Sequence, residues 1–181
     1  MTRARCAILA LLIGATALTT PARVGAQPVD AVAEMKDANG RVLGRATFSP
    51  LAGGVGVWIQ VVVSGLRPGV HGISIHENGV CQGPEFRSAG GHFNPRGRQH
   101  GLAHREGANA GDLPNMVVSD TGTARYEAAN VRITLGAGPN SLFKPGGTSL
   151  VIHASPDDQL TDPDGGAGPG IACGIITRAN S

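Results

Sequence analysis

Short runs of β-branched and other apolar residues, interleaved with polar ones, recur along the chain from about residue 41 onward. RVLGRATF (41–48), VGVWIQVVVSGL (55–66), GISIH (72–76), TARYEA (123–128), SLVIHA (149–154) and IACGII (171–176) read as strands. Asn39-Gly40, Pro68-Gly69 and Pro145-Gly146 punctuate them as turns. No stretch of a dozen residues keeps its apolar positions at helical spacing. The pattern predicts one all-β domain, a sandwich or flattened barrel, with no internal repeat and no linker. The 28 glycines gather at turns and in two long loops, about 77–116 and 155–170. Connections of that length in a compact domain are generally functional or disordered.

The first 26 residues stand outside this pattern. Arg3 and Arg5 open a basic start, and the apolar run from Cys6 to Leu18 has the length of a signal-peptide core. Val24-Gly25-Ala26 supplies the small residues of a cleavage site, so residues 1–26 read as a signal peptide and 27–181 as the domain. The apolar run is too short to span a bilayer, and no second candidate follows. Cleavage removes Arg3, Arg5 and Arg23, which takes 15 basic residues to 12 against 13 acidic ones. The mature chain is then close to neutral, and nothing in it marks a nucleic-acid partner or a membrane surface. The expected location is the periplasm or the extracellular space. Cys6 leaves with the leader, so Cys81 and Cys173 remain in an oxidising compartment. The simplest reading is one disulfide, with two buried free thiols as the alternative.

Histidine carries the candidate chemistry. His71 and His76 lie five positions apart, so on one strand they point to opposite faces. The residue that shares a face with His76, two positions earlier, is Ser74. His92, His100 and His104 fall in the first long loop together with Asp112, and His153 ends the SLVIH strand. Any one of these alone reads as a surface or hydrogen-bonded histidine. Several imidazoles with one carboxylate suit zinc or copper and are too rich in nitrogen for calcium or magnesium.

The segments HGISIHENGVC (71–81), SAGGHFNP (88–95), HG (100–101), AGDLPN (110–115), LVIHASPDD (150–158) and GAGPGIACGII (166–176) resemble, in order and spacing, the copper–zinc superoxide dismutases. The likeness is closest to the exported bacterial branch and covers essentially the whole mature chain. It implies a Greek-key β-sandwich or flattened barrel and makes Cys81–Cys173 an intrachain disulfide. It puts His76, His92 and His153 at copper positions and His92, His100 and Asp112 at zinc positions, with His92 bridging. Asp157 matches the carboxylate that supports the metal ligands, and His71 matches a structural histidine.

The same resemblance shows three departures. Ser74 stands where the family has a copper histidine, and Asn109 where it has a zinc histidine. Gly170 stands where the family has the arginine that borders the copper channel and attracts the anion. Five of the seven metal residues remain, and each metal has lost one. Three imidazoles satisfy Cu(I), whereas Cu(II) prefers a tetragonal field. The zinc position keeps three protein ligands, with water or the Asn109 amide oxygen as the fourth. The expectation is copper and/or zinc, one metal per chain, and no catalytic residue is assigned. Asp157, Asp158, Asp162 and Asp164 crowd the second loop without a lysine, which does not favour an anionic substrate. Arg96, Arg98 and Arg105 in the first loop are candidates to compensate, although solvated surface positions are the better reading, and His104 is a candidate for the missing zinc histidine only if the loop re-routes. Three functions stay open: a metal-holding relative with weak or lost dismutase activity, a dismutase of superoxide on three histidines, or a binding module with relic histidines.

Overall fold

The computed structural model describes residues 30–179. The signal-peptide reading falls on residues 1–26, outside the described residues. Ten strands follow in order: β1 (Ala31–Lys36), β2 (Val42–Pro50), β3 (Val57–Ser64), β4 (Gly69–His71), β5 (Ile73–His76), β6 (Met116–Val118), β7 (Thr123–Asn130), β8 (Ser149–His153), β9 (Gly170–Ile175) and β10 (Thr177–Arg178). The described residues contain no helix beyond the single turn Arg87–Ala89. One curled antiparallel sheet runs in the order β5-β8-β9-β1-β2-β3-β7, with β10 beside β1, and β4 pairs with β6 in a separate ribbon. The fold is all-β, as the pattern predicts.

The six predicted strands all form, each within two residues of its expected ends. The pattern missed β1, whose buried residues are Ala31, Ala33 and Met35. Two alanines carry little hydrophobic contrast, so the alternation there is present but faint. Strands β4, β6 and β10 have three residues or fewer, too few for a periodic signal.

Burial separates two kinds of strand. In β7 every second residue is buried, because one face packs on the core and the other meets water. In β5 and β8 every residue is buried. Their inner face carries Ile73, Ile75, Leu150 and Ile152 into the main core. Their outer face carries Ser74, His76, Val151 and His153, and the two long loops lie over it. A polar residue buried there is tolerated only where it finds a partner.

The loop after β5 is held to the sheet by its own backbone. Phe93 N–H donates to Ile75 O (2.8 Å), Ile75 N–H to Gly111 O (2.9 Å) and Gly111 N–H to Phe93 O (2.8 Å). Gly111 is required for this approach, since a Cβ there would fall 2.1 Å from the Ile75 carbonyl oxygen. These bonds lay the segments around His92 and Asp112 beside the outer face of β5. Tyr126 Oη–H donates to Pro114 O (2.9 Å), and the Asn130 amide donates to Ala110 O (2.8 Å), which ties the same limb to β7. The two long loops also hold each other. Asn115 donates its amide to Asp157 O (2.8 Å) and accepts from Asp157 N–H (2.9 Å).

Candidate metal centre

Three imidazoles meet on the outer face of β5 and β8. His76 Nδ1 lies 2.8 Å from Gly90 O, and His153 Nδ1 lies 2.9 Å from Gly168 O. A carbonyl oxygen only accepts, so both Nδ1 atoms carry the proton and both Nε2 atoms are bare. His92 Nδ1 lies 2.9 Å from Asp112 Oδ1, so it too donates and leaves Nε2 bare. His92 Nε2 is buried with no hydrogen-bond partner. The three histidines offer ligand atoms within 4.8 Å of one another, and the Nε2 atoms of His76 and His153 are 3.2 Å apart. Ligand nitrogens held about 2.0–2.1 Å from one ion sit about 3 Å apart, so this spacing suits a shared cation.

Ser74 stands at the next corner. Its Oγ lies 3.0 Å from His76 Nε2 and 3.2 Å from His153 Nε2. One hydroxyl hydrogen serves one of the two nitrogens at a time. The other Nε2 and that of His92 stay without a protein donor. Nitrogen lone pairs left bare in a buried place are costly unless a cation completes them. Burial, followed by the neighbouring imidazoles His92 and His153, pushes the pKa of His76 down to about 3. Burial also lowers that of His153, only partly offset by its bond to Gly168. His76 and His153 are therefore neutral at physiological pH.

The second cluster surrounds Asp112. Its Oδ1 accepts from His92 Nδ1 and from His100 Nδ1 at 3.0 Å, and its Oδ2 accepts from Gly101 N–H (2.8 Å) and Asn109 N–H (2.9 Å). Burial opposes its charge, yet the bonds from His100 and His92 outweigh that and hold its carboxyl well below the usual range. His100 Nε2 lies 3.0 Å from Asp157 Oδ1. With a carboxylate on each nitrogen, both donate. Burial again disfavours the charge, but bonds to Asp112 and Asp157 prevail and raise the pKa of His100 to about 10. Gly165 makes room for Asp157, because a Cβ there would fall 1.8 Å from Asp157 Oδ1. Asn109 Oδ1 is buried without a partner.

The outlying histidines stay apart. Both ring nitrogens of His71 face backbone carbonyls, His153 O at 2.7 Å and Arg67 O at 2.8 Å. His104 joins neither cluster; its Nδ1 accepts from Glu106 N–H (3.1 Å). Cys81 and Cys173 form the disulfide, with Cα atoms 5.7 Å apart.

A family model for copper/zinc superoxide dismutase (SODC) matches residues 42–176. The chain belongs to the copper/zinc superoxide dismutase family. Its relatives include "Superoxide dismutase [Cu-Zn] 2" of Aquifex aeolicus, 47% identical over 152 residues that cover 83% of this chain and 88% of that one. "Superoxide dismutase-like protein YojM" of Bacillus subtilis is 38% identical over 128 residues, 69% of this chain and 65% of that one. A crystal structure of a point mutant of a SOD-like protein from Bacillus subtilis superposes with a TM-score of 0.75 at 33% identity, covering 80% of this chain and 95% of the other. Copper/zinc dismutases use both metals, and the two clusters here are sets of donors suited to metal.

A cleft of about 330 Å³ leads to the first cluster. His76 and His153 line it together with Glu85, Arg87, Asp164 and Gly170. The sequence reading missed Glu85, Arg87 and the lining role of Asp164. Nothing in their spacing signals the cleft, because the disulfide loop brings the first two there. Arg96 and Arg98 lie elsewhere, in a separate groove. Arg87 Nε pairs with Glu85 Oε2 at 2.7 Å, which leaves Asp164 to bias the mouth negative.

Proton competition separates the two clusters. His100 loses a proton from Nδ1 before that nitrogen can hold a cation. Zinc affinity is therefore expected to rise about tenfold per pH unit between pH 6 and 9, below the His100 pKa of about 10. Copper affinity, with that ion at the first cluster, should vary less over the same range, since His76 binds a proton only near pH 3 and burial lowers the pKa of His153 as well. Competition titrations against a calibrated chelator check this. Equal slopes for the two metals would refute the assignment.

Proposed function

We propose that this chain is an exported, metal-holding member of the superoxide dismutase family whose dismutase activity is weak. His76, His92 and His153 would hold copper, or His92, His100 and Asp112 would hold zinc with the Asn109 amide oxygen as a weak fourth donor, one metal per chain. The observation that carries this reading is the Ser74 hydroxyl at the corner beside His76 and His153 Nε2. A neutral hydroxyl is a poor donor to Cu(II), while three imidazoles suffice for Cu(I).

Copper, when bound, supplies the one-electron exchange that turns two superoxide anions and two protons into dioxygen and hydrogen peroxide. The chain's own residues set how well that works. Gly90 and Gly168 hold His76 and His153 in the tautomer that presents Nε2. Asp112 orients His92 from its other side, and Asp157 orients only His100. The cleft does little to draw in an anion, because Glu85 neutralises Arg87 and Asp164 stands near.

A competing reading, an efficient dismutase on three histidines, draws on Arg87, whose guanidinium is at the cleft although the family arginine is absent. Stopped-flow decay of superoxide decides between them. The mature protein is loaded with copper, cleared of loose ions by chelator, and its bound copper counted. Weak decay per bound copper, abolished by His153→Ala, is the expected result. A fast rate proportional to bound copper would establish the efficient enzyme instead.

A further inference from the structure

We propose that the groove lined by Arg96, Arg98 and Arg132 is a binding site for a phosphate-class oxyanion. The groove has a volume of about 310 Å³ and is also lined by Asn94, Ala108 and Asn140, with no carboxylate among its walls. It holds none of the metal-centre histidines.

Local structure brings the three arginines to the walls of one groove. The Asn94 side chain accepts from Arg98 N–H (2.9 Å) and donates to Arg98 O (2.8 Å), which closes a tight turn over 94–98. Gly97 at its tip takes φ +58°. Arg96 and Arg98 project from that turn, and neither forms an ion pair among the described residues.

Arg132 comes from the far end of β7 and is held firmly. Its Nε donates to Asn109 O (3.1 Å) and its Nη2 to Asp112 O (2.8 Å), which leaves Nη1 without a protein partner. A half-buried, prefixed guanidinium beside two unpaired ones is a forked donor set for a multiply charged oxyanion. Little ordering of Arg132 remains to be done on binding.

The groove's chemistry narrows the choice of anion. No aromatic side chain lines it, so it offers no platform for a nucleobase. Asp112 partly offsets the charge of Arg132, and the remaining positive charge with the Nη1 donor suits a phosphate or pyrophosphate. The site adjoins the carbonyls of Asn109 and Asp112, the segment that presents the buried carboxylate of the second cluster.

Isothermal titration of the mature protein with inorganic phosphate and with pyrophosphate, at low and constant ionic strength, tests the site. One saturable site per chain is expected, tighter for pyrophosphate. The Arg96→Gln/Arg98→Gln double variant should bind at least about tenfold more weakly. Both residues are exposed, so the variant keeps its fold, which circular dichroism verifies. Arg105→Gln removes a charge from the same loop outside the groove and should bind as the parent does. Absence of saturable binding by the parent, undiminished binding by the double variant, or an equal loss in Arg105→Gln would each overturn the proposal.

Discussion

Replacing Ser74 by histidine is expected to tighten Cu(II) binding by at least about 100-fold and to raise the dismutation rate per bound copper. Even partners that only orient a ligand are worth about 10–100-fold in metal affinity, so a ligand itself should not be worth less. The position is favourable, because Ser74 Oγ already lies 3.0 and 3.2 Å from the Nε2 atoms that would share the ion. Cu(I) affinity should change far less, since three imidazoles already satisfy that ion. The reduction potential of the bound copper should fall accordingly. Ser74 is buried, so the larger ring should also cost the metal-free fold about 1–3 kcal/mol by overpacking. Chelator competition in both oxidation states, with denaturant unfolding of the metal-free protein, measures all three effects. Unchanged Cu(II) affinity would mean that position 74 does not face the ion.

The same reversal does not work at Gly170. A Cβ there would approach Val151 Cγ1 to 2.9 Å and the Glu85 carbonyl oxygen to 3.0 Å, with Phe86 at 3.3 Å. The disulfide loop occupies the space beside that strand, so an arginine at 170 displaces backbone before it attracts an anion. Restoring anion capture calls for changing the loop, with Glu85→Gln as the simpler first step because it frees Arg87.

How much of this was legible in the sequence follows from the range of each interaction. Six strands were readable because alternation is a local property of the chain. The pairing of Ser74 with His76 on one face followed from strand parity alone. The ligand sets rested on resemblance, and the structure brings those residues together as two clusters. What stayed hidden depends on backbone atoms or on distant segments. The carbonyls of Gly90 and Gly168 select the histidine tautomers, yet a carbonyl has no side-chain signature. Arg132 is 20 residues beyond Asp112 in the chain, and only the packing of β7 against the loop shows that it braces that segment. Arg96 and Arg98 read best as solvated surface positions, with a role at the copper channel as the alternative because they share a loop with its histidines, and both are exposed. The turn at 94–98 sends them to another groove.

Removal of the disulfide, in a Cys81→Ser/Cys173→Ser variant, is expected to cost the fold roughly 4–5 kcal/mol by the loop-entropy account. The cysteines are 92 residues apart in sequence, so the bond restrains a long closed loop in the unfolded chain. Its effect on the native state reaches the candidate copper cluster. Cys173 packs with Phe86, Ala89 and Val151 in a small cluster separate from the main core. That cluster seats the turn Arg87–Ala89, and the next residue, Gly90, supplies the carbonyl that holds His76 Nδ1–H. Without the covalent link, the turn is held by four buried side chains and a few loop hydrogen bonds. Gly90 then gains freedom, His76 can exchange tautomers, and the three Nε2 atoms no longer converge by default. Copper affinity should therefore fall about 10–100-fold together with stability, as it does when a partner that orients a ligand is removed. Zinc affinity should fall less, because Asp112 and His100 are braced from β7 and from the second loop. Denaturant unfolding and metal competition on the same variant separate the two effects. A large loss of stability with unchanged copper affinity would show that the disulfide acts on the unfolded chain alone, and that the path through Gly90 carries no weight.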